Sequence, residues 1–157
     1  MFSIFSAIII FISVVNPFAS IFHIEGSPPQ SLGVYEGHLR ACPDSPNCVV
    51  SYDESDDSHY IEPIKYDTDL DTAKNTLTKV LSVVPNTTII EEKDNYIRTE
   101  FRSKLMGFVD DGEFYFPKDK SIIEVRSASR LGESDLGVNR RRLEQIRLAI
   151  QDYNNSI

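Results

Sequence analysis

Three arginines in the C-terminal third of the chain are the strongest candidates for binding chemistry. Arg126 and Arg130 enclose the sequence Ser-Ala-Ser, and Arg140 follows ten residues later. Guanidinium groups hold carboxylate or phosphate oxygens with forked, charge-assisted hydrogen bonds. The start of the last predicted helix, next to Arg140, could add backbone N–H donors. We therefore predict that these arginines line an anion-binding pocket at the edge of a sheet.

Two carboxylates upstream, Asp111 and Glu113, could face these arginines in the same pocket. Either carboxylate could also act with Arg126 in a hydrolase-type reaction, as a general acid or base. A catalytic pair of Asp110 and Asp111 is disfavoured, because neighbouring residues on a strand point to opposite faces. No Gly-x-Ser-x-Gly elbow is present. We assign no catalytic residue, and a hydrolase stays an alternative to a binding module.

The two cysteines, Cys42 and Cys48, enclose the turn-forming sequence Pro-Asp-Ser-Pro-Asn. We predict a structural disulfide, which contributes about 2 kcal/mol in the chain-entropy model for so small a loop. A metal site would need two more ligands, and His38 and His59 lack zinc spacing. A redox-active pair would lack the helix start that lowers the pKa of a Cys-x-x-Cys thiol. We expect no metal and no cofactor.

Hydrophobic periodicity indicates which elements position these residues. Apolar side chains recur at helical spacing over residues 69–84, with Thr68 as a possible cap and Pro85 at the end. A second helix is predicted over residues 136–153, capped by Ser134 or Asp135. Strand-like runs lie at residues 60–66, 87–92, 95–103, 108–116 and 121–128.

The element order β-α-β-β-β-β-α predicts a single α+β domain. Short connections between the last four strands imply antiparallel neighbours, so we expect an antiparallel sheet of about five strands with both helices packed on one face. The globular domain is predicted over residues 39–153, after a linker at residues 23–38 that is rich in Gly, Pro and Ser.

Strand parity divides the polar residues of this sheet between its two faces. One face aligns Arg98, Glu100, Arg102, Asp111, Glu113, Glu124 and Arg126. This polar face is predicted to be either a solvated surface with weak ion pairs or a ligand site. Asp110 falls on the opposite, phenylalanine-rich face, and Asn139 lies on the helix stripe formed by Leu136, Leu143 and Ile146. We predict that Asp110 and Asn139 form a structural polar latch, with Asn139 bonded to the turn at residues 127–132.

Composition and charge restrict the compartment and the partners. The chain has 157 residues and a net charge of −8, and residues 53–71 hold eight acids against Lys65 alone. Such an acidic chain repels phosphate backbones, so nucleic acid is not expected as a partner. Residues 1–22 carry no charged side chain, which predicts a cleaved signal peptide or a retained membrane anchor. The folded part is therefore expected outside the cytoplasm, secreted or membrane-anchored.

Three motifs together resemble a known family. They are Cys-Pro-Asp-Ser-Pro-Asn-Cys at residues 42–48, Phe-Val-Asp-Asp-Gly-Glu-Phe at residues 108–114, and Arg-Ser-Ala-Ser-Arg-Leu-Gly at residues 126–132, continued by Asp-Leu-Gly-Val-Asn-Arg at residues 135–140. Their order is similar to that of the family called domain of unknown function 1499, over roughly residues 39–150. The resemblance implies a small extracytoplasmic or membrane-associated domain and brings no established activity, cofactor or catalytic residue.

These observations support three hypotheses. The first is a non-enzymatic module that binds an anionic small molecule, a lipid or a protein partner near the membrane through Arg126, Arg130 and Arg140. The second is a hydrolase that uses Asp111 or Glu113 with Arg126. The third is a structural or interaction protein in which the polar residues only fix the fold.

Overall fold

The strands and helices follow the predicted order, with three additional short strands near the N-terminus. A computed structural model describes residues 24–52 and 54–155, so the predicted leader at residues 1–22 lies outside the described residues. The elements are β1 Val34–Tyr35, β2 His38–Leu39, β3 Cys48–Val50, β4 Ile64–Lys65, α1 Leu70–Val83, β5 Thr87–Lys93, β6 Tyr96–Arg102, β7 Val109–Tyr115, β8 Ile122–Ser129 and α2 Val138–Asn155.

One antiparallel sheet of six strands organises the domain, in the order β3-β8-β7-β6-β5. The sixth strand, β4, lies beside the beginning of β8, while β3 lies beside its end. The α+β class and the antiparallel sheet are confirmed, with six strands where about five were predicted. The predicted first strand at residues 60–66 contains only the two-residue β4, and β3 was too short for periodicity to reveal it.

The main hydrophobic core lies between the two helices and one face of the sheet. It includes Phe101 from β6, Phe114 from β7 and Val125 from β8, with Leu77 from α1 and Leu143 from α2, all of them buried. Gly112 in β7 leaves room for Phe101 in this core. A Cβ atom at position 112 would be 2.2 Å from Cε2 of the phenyl ring. The backbone and the phenyl ring can approach this closely only without a side chain.

Aspartate side chains accept hydrogen bonds from the backbone at the N-termini of both helices. The Asp69 side chain accepts a hydrogen bond from the N–H of Thr72 at 2.9 Å and caps α1, so the predicted Thr68 cap is wrong by one residue. Asp135 accepts from the N–H of Gly137 at 2.9 Å and of Asn139 at 2.7 Å before α2. Asp135 was one of the two caps predicted for this helix.

Leu136 corrects another prediction about α2. It was placed on the apolar stripe of the helix, but it precedes the first turn and is 84 % exposed with a positive φ of 53°. The buried stripe consists of Asn139, Leu143, Ile146 and Ile150. The prediction failed because the helix begins two residues later than the hydrophobic pattern suggested.

The segment predicted as a linker is partly structured. β1 and β2 form a hairpin at the end of residues 23–38, and Leu39 is buried. The N–H of Gly33 donates to Oε1 of Glu113 at 2.6 Å, and the N–H of Leu39 donates to Oε2 of Glu124 at 3.1 Å. This N-terminal strap, residues 29–40, therefore lies on the sheet face opposite the helices.

Cys42 and Cys48 form a disulfide, with their Cα atoms 5.7 Å apart. The bond joins the chain that follows the strap to the start of β3, at the edge of the sheet. The predicted pairing is thereby confirmed, and it is typical of a protein that folds in an oxidising, extracytoplasmic compartment. No helix within residues 24–52 and 54–155 is long and apolar enough to cross a membrane.

Candidate functional site

The sheet face opposite the helices carries the predicted row of charges, and the centre of that row is buried. The cross-strand register aligns Arg98, Glu113 and Arg126 in one row, and Glu100 with Asp111 in the next. Asp111 and Glu113 are 0 % exposed. The interpretation of this face as a solvated surface is therefore wrong, because the N-terminal strap and the neighbouring side chains exclude water from its centre.

Asp111 is the acceptor at the centre of one ion-pair cluster. Arg130 forms a bidentate pair with it, from Nε to Oδ2 at 2.8 Å and from Nη2 to Oδ1 at 2.9 Å. Arg98 donates to Oδ1 at 3.0 Å, and Arg130 also pairs with Glu100. The hydrogen bond with Asp111, followed by that with Glu100, holds the pKa of Arg130 above its ordinary value despite burial.

Glu113 is the centre of the second cluster. Its Oε2 accepts from Nη1 of Arg126 at 2.8 Å, and its Oε1 accepts from the hydroxyl of Tyr96 at 2.8 Å and from the N–H of Gly33. Burial raises the pKa of Tyr96, and the charge of Glu113 raises it further. The hydroxyl therefore stays protonated and remains a donor, so Glu113 has a partner on each oxygen.

Glu124 links the strap to β8. Its Oε1 is 2.7 Å from Nδ1 of His38, and the His38 ring stacks on Tyr52 with ring centroids 4.0 Å apart. Oε2 accepts the N–H of Leu39. Because buried Glu124 and Glu113 both bind the strap, the strap is held by charge-assisted hydrogen bonds as well as by packing.

A pocket of about 530 Å³ lies between the strap, the disulfide and β8. Arg126 lines it, is 2 % exposed, and is the residue whose Nε–H is buried without a hydrogen-bond partner within the described part of the chain. Arg40 and Glu36 also line the pocket. The apolar and aromatic lining comes from Tyr35, Leu39, Cys42, Pro43, Tyr52 and Ala128.

The three predicted arginines are not brought together around this pocket. Arg130 is paired with Asp111 and Glu100, and its side chain is 3 % exposed. Arg140 donates to the carbonyl oxygen of Tyr60 at 2.6 Å and to that of Ser58 at 3.1 Å, and so joins α2 to the segment before β4. Of the three, only Arg126 combines a place in the pocket with an unpartnered N–H group.

Asp110 and Asn139 lie on the helix side of the sheet. Asp110 pairs with Arg142 of α2 at 2.9 Å. The Asn139 Nδ2 donates to the carbonyl of Asn47 at 3.0 Å and to Oγ of Ser129 at 3.1 Å. Its Oδ1 accepts from the hydroxyl of Ser127 at 2.5 Å and from Nη1 of Arg142 at 2.8 Å. These bonds join α2 to β8 and to the disulfide loop, which is the arrangement expected of a polar latch.

Two pocket features were missed by the sequence patterns. Arg40 and Tyr35 lie in or beside the segment that was predicted as linker, and the Arg40 guanidinium lies over the Tyr35 ring at 4.7 Å. Tyr52 lies outside every predicted strand and helix. Alternating polarity cannot identify a strap that binds the sheet through backbone N–H groups, because those groups are present in every sequence. Across the described residues, no group of three or more His, Cys, Asp or Glu side chains is placed to hold a metal.

The fold and the buried charges define a small α+β domain with an N-terminal strap on one sheet face and a disulfide at the sheet edge. The chain belongs to the family described as "Protein of unknown function (DUF1499)", whose model matches residues 38–150. The resemblance drawn from the three motifs is thereby confirmed. No curated protein was found to match the chain.

Proposed function

We propose that this protein is a non-enzymatic module that binds a small molecule with an acidic group close to a membrane. One observation carries the proposal: Arg126 lines the pocket with a buried Nε–H that lacks a partner among the described residues. A buried donor without an acceptor costs about 1–3 kcal/mol, and more when it is charged. An oxygen of a bound ligand would accept from this group and remove that cost.

The charge of the surroundings favours a ligand with one negative charge. On the polar face, four arginines stand against four carboxylates, and one of the arginines, Arg102, is also paired with Glu25. The arginines are Arg98, Arg102, Arg126 and Arg130, and the carboxylates are those of Glu100, Asp111, Glu113 and Glu124. The face therefore has no positive field that would attract a polyphosphate. Arg40 at the pocket adds a second guanidinium, partly offset by Glu36. A single carboxylate or phosphate monoester is the group that fits this balance.

The remainder of the ligand is expected to be apolar. Tyr35, Tyr52 and Leu39 line the pocket together with the disulfide residue Cys42. Pockets of this size and composition bind a small molecule through apolar contacts, and the few polar groups set its orientation. An amphipathic acid, with its charged end at Arg126 and its apolar body against the tyrosines, satisfies both parts of the pocket.

The hydrolase hypothesis receives less support. Each oxygen of Asp111 and Glu113 accepts at least one hydrogen bond, and neither residue is exposed. A general acid or base must lie within hydrogen-bond reach of the substrate, and the oxygens of these buried carboxylates are already bound to protein donors. The purely structural hypothesis explains the paired charges, but it leaves the Arg126 donor and the adjoining pocket without an explanation.

Thermal unfolding of the full-length protein tests the proposal. Benzoate, dodecanoate and inorganic phosphate serve as probes of the three chemical classes. An acid bound at one hundred times its Kd stabilises the native state by about 2.7 kcal/mol. We expect dodecanoate or benzoate to raise the melting temperature by about 5 °C or more, and phosphate to have less effect.

The matched variants add the same bulk at two positions. Ala128→Leu adds three carbon atoms inside the pocket, and Ala149→Leu makes the same change in α2, away from the pocket. The response to the acid should disappear in Ala128→Leu and persist in Ala149→Leu. No response of the wild-type protein to any of the three probes, or an equal response in both variants, would count against a binding module.

A further inference from the structure

Two connections and the N-terminal segment carry six of the exposed apolar side chains of the domain. The connection between β6 and β7 carries Leu105, Met106 and Phe108, which are 64 %, 36 % and 37 % exposed. The connection between β8 and α2 carries Leu131 and Leu136, which are 43 % and 84 % exposed. These five residues, with Ile24 at 38 % exposure, are called the apolar end below. Exposed apolar residues mark an interaction site when they are contiguous.

The two connections and the N-terminal segment meet in space. β6 and β8 both pair with β7 in antiparallel fashion, so they run in the same direction and end on the same side of the sheet. The N–H of Arg130, after β8, donates to the carbonyl of Val109, at the start of β7, at 3.1 Å. Leu131 therefore follows directly beside Phe108. Gly26 packs against Leu131, since a Cβ atom at Gly26 would be 2.9 Å from its Cγ.

The apolar end is also where the uncharged leader joins the domain. Glu25 forms an ion pair with Arg102 at 2.6 Å, which fixes the start of the described chain next to the β6–β7 connection. Ile24 and Glu25 follow the leader at residues 1–22, with only His23 between them and a segment that the sequence predicts to be directed to a membrane. The point at which the described chain begins therefore lies next to the apolar end.

We propose that the apolar end docks on a lipid bilayer, with Leu105, Met106, Phe108 and Leu131 inserted at the level of the headgroups. Leu and Phe side chains on loop tips partition into this interface because their apolar area leaves water. Glu25 is the acid of the N-terminal segment next to the apolar end, and its ion pair with Arg102 offsets its charge. This surface is separate from the pocket, and the inference does not depend on the proposed ligand.

A single tryptophan reports directly on insertion, because the chain contains none. Leu105→Trp places the indole in the apolar end, and Leu148→Trp places it on α2 at a position that is 56 % exposed and ten residues beyond the start of the helix. Both positions are solvent-exposed in the domain, so neither change disturbs the core. The full-length proteins are reconstituted in phosphatidylcholine vesicles, with and without brominated acyl chains.

The emission of Leu105→Trp should shift to the blue on vesicle addition and be quenched strongly by brominated lipid, because bromine quenches only at contact distance. The emission of Leu148→Trp should change in neither respect. If Leu105→Trp is no more quenched than Leu148→Trp, the apolar end remains in water and the proposal is overturned. Emission of Leu105→Trp that is already bluer than that of Leu148→Trp without vesicles would also overturn the proposal. The leader or a second copy of the chain would then cover this surface.

Discussion

Arg130 at the end of β8 and Asp111 in β7 form a bidentate ion pair in which both side chains are almost completely removed from solvent, with 3 % and 0 % exposure. Asp111 faces Ala128 in the register, so the arginine reaches back over two residues to meet it. The pair lies at the end of the sheet, next to Gly26 of the N-terminal segment. The charges of the pair are satisfied internally, so Arg130 is expected to act in stability, and the proposed ligand is assigned to Arg126.

Removing Arg130 should destabilise the fold strongly. Arg130→Met leaves Asp111 buried with Arg98 as its remaining cationic partner, and breaking a buried pair costs about 3–5 kcal/mol. The free energy of unfolding from urea denaturation measures the loss. Arg141→Met, at an exposed position of α2, is the control and should change stability by less than about 1 kcal/mol. Equal stabilities of the two variants would contradict the assigned role.

The Asn139 latch should contribute comparably. Asn139→Leu keeps a similar size but leaves the hydroxyls of Ser127 and Ser129 without this partner. The Asn47 carbonyl also loses one of its two donors and keeps the N–H of Ser129. Each buried polar group left unpaired costs about 1–3 kcal/mol, so we expect a loss of about 2–5 kcal/mol in urea denaturation. Gln145→Leu, exposed on the same helix, controls for the change in hydrophobicity. A loss below that of Gln145→Leu would show that the latch is dispensable.

The disulfide should stabilise the domain modestly and support the pocket. Cys42→Ser with Cys48→Ser opens a six-residue separation, for which the chain-entropy model gives about 2 kcal/mol. Urea denaturation of the double variant should show this loss with cooperative unfolding retained. The shift of melting temperature by an acidic probe should also decrease, because Cys42 lines the pocket. Complete unfolding of the variant in water would contradict this prediction, because the bond would then be required for folding.

His59 should make stability depend on pH. Its hydrogen bond with Asp56, at 2.5 Å, raises the pKa of His59 above 6.5, and the carbonyl of Ser45 adds to the effect. Hydrogen bonds from Ser58 and then His59 lower the pKa of Asp56 from 3.8 to about 2. The His59 contribution is complete below pH 6.5 and is lost as pH rises through its folded-state pKa. The Asp56 contribution is present above pH 3.8 and is lost as pH falls towards 2.

The difference in unfolding free energy between wild type and His59→Gln measures this pair. It should be largest between about pH 4 and pH 6.5 and should shrink by pH 9. His38→Gln provides a histidine control elsewhere in the structure, paired with Glu124 rather than Asp56. A difference for His59→Gln that stays constant from pH 5 to pH 9 would contradict a charged pair.

Much of the architecture was predictable because the longer elements are strongly periodic. Strand parity separated Asp110 from Asp111 and placed Asp111, Glu113 and Arg126 on one face, as the register shows. The helices were found within about two residues of their ends. These features depend on the periodicity of apolar side chains in helices and strands, which the sequence displays directly.

Burial of the polar face was not predictable, since it depends on the strap. The strap binds Glu113 and Glu124 through the N–H groups of Gly33 and Leu39, which have no side-chain signature. Its strands are only two residues long, too short for a periodic pattern. Arg140 was misplaced for a related reason: its partners are the carbonyls of Tyr60 and Ser58, which no pattern of residue types identifies.

Native mass spectrometry of the full-length protein, purified from its own membranes, tests the central claim most directly. A small amphipathic acid should be released from the wild-type protein and from Ala149→Leu, and it should be absent from Ala128→Leu, whose larger side chain fills the pocket beside Arg126. The three proteins should otherwise have the same mass apart from the substitution. Wild-type protein that carries no such molecule, or Ala128→Leu that retains it, would contradict a ligand bound at Arg126.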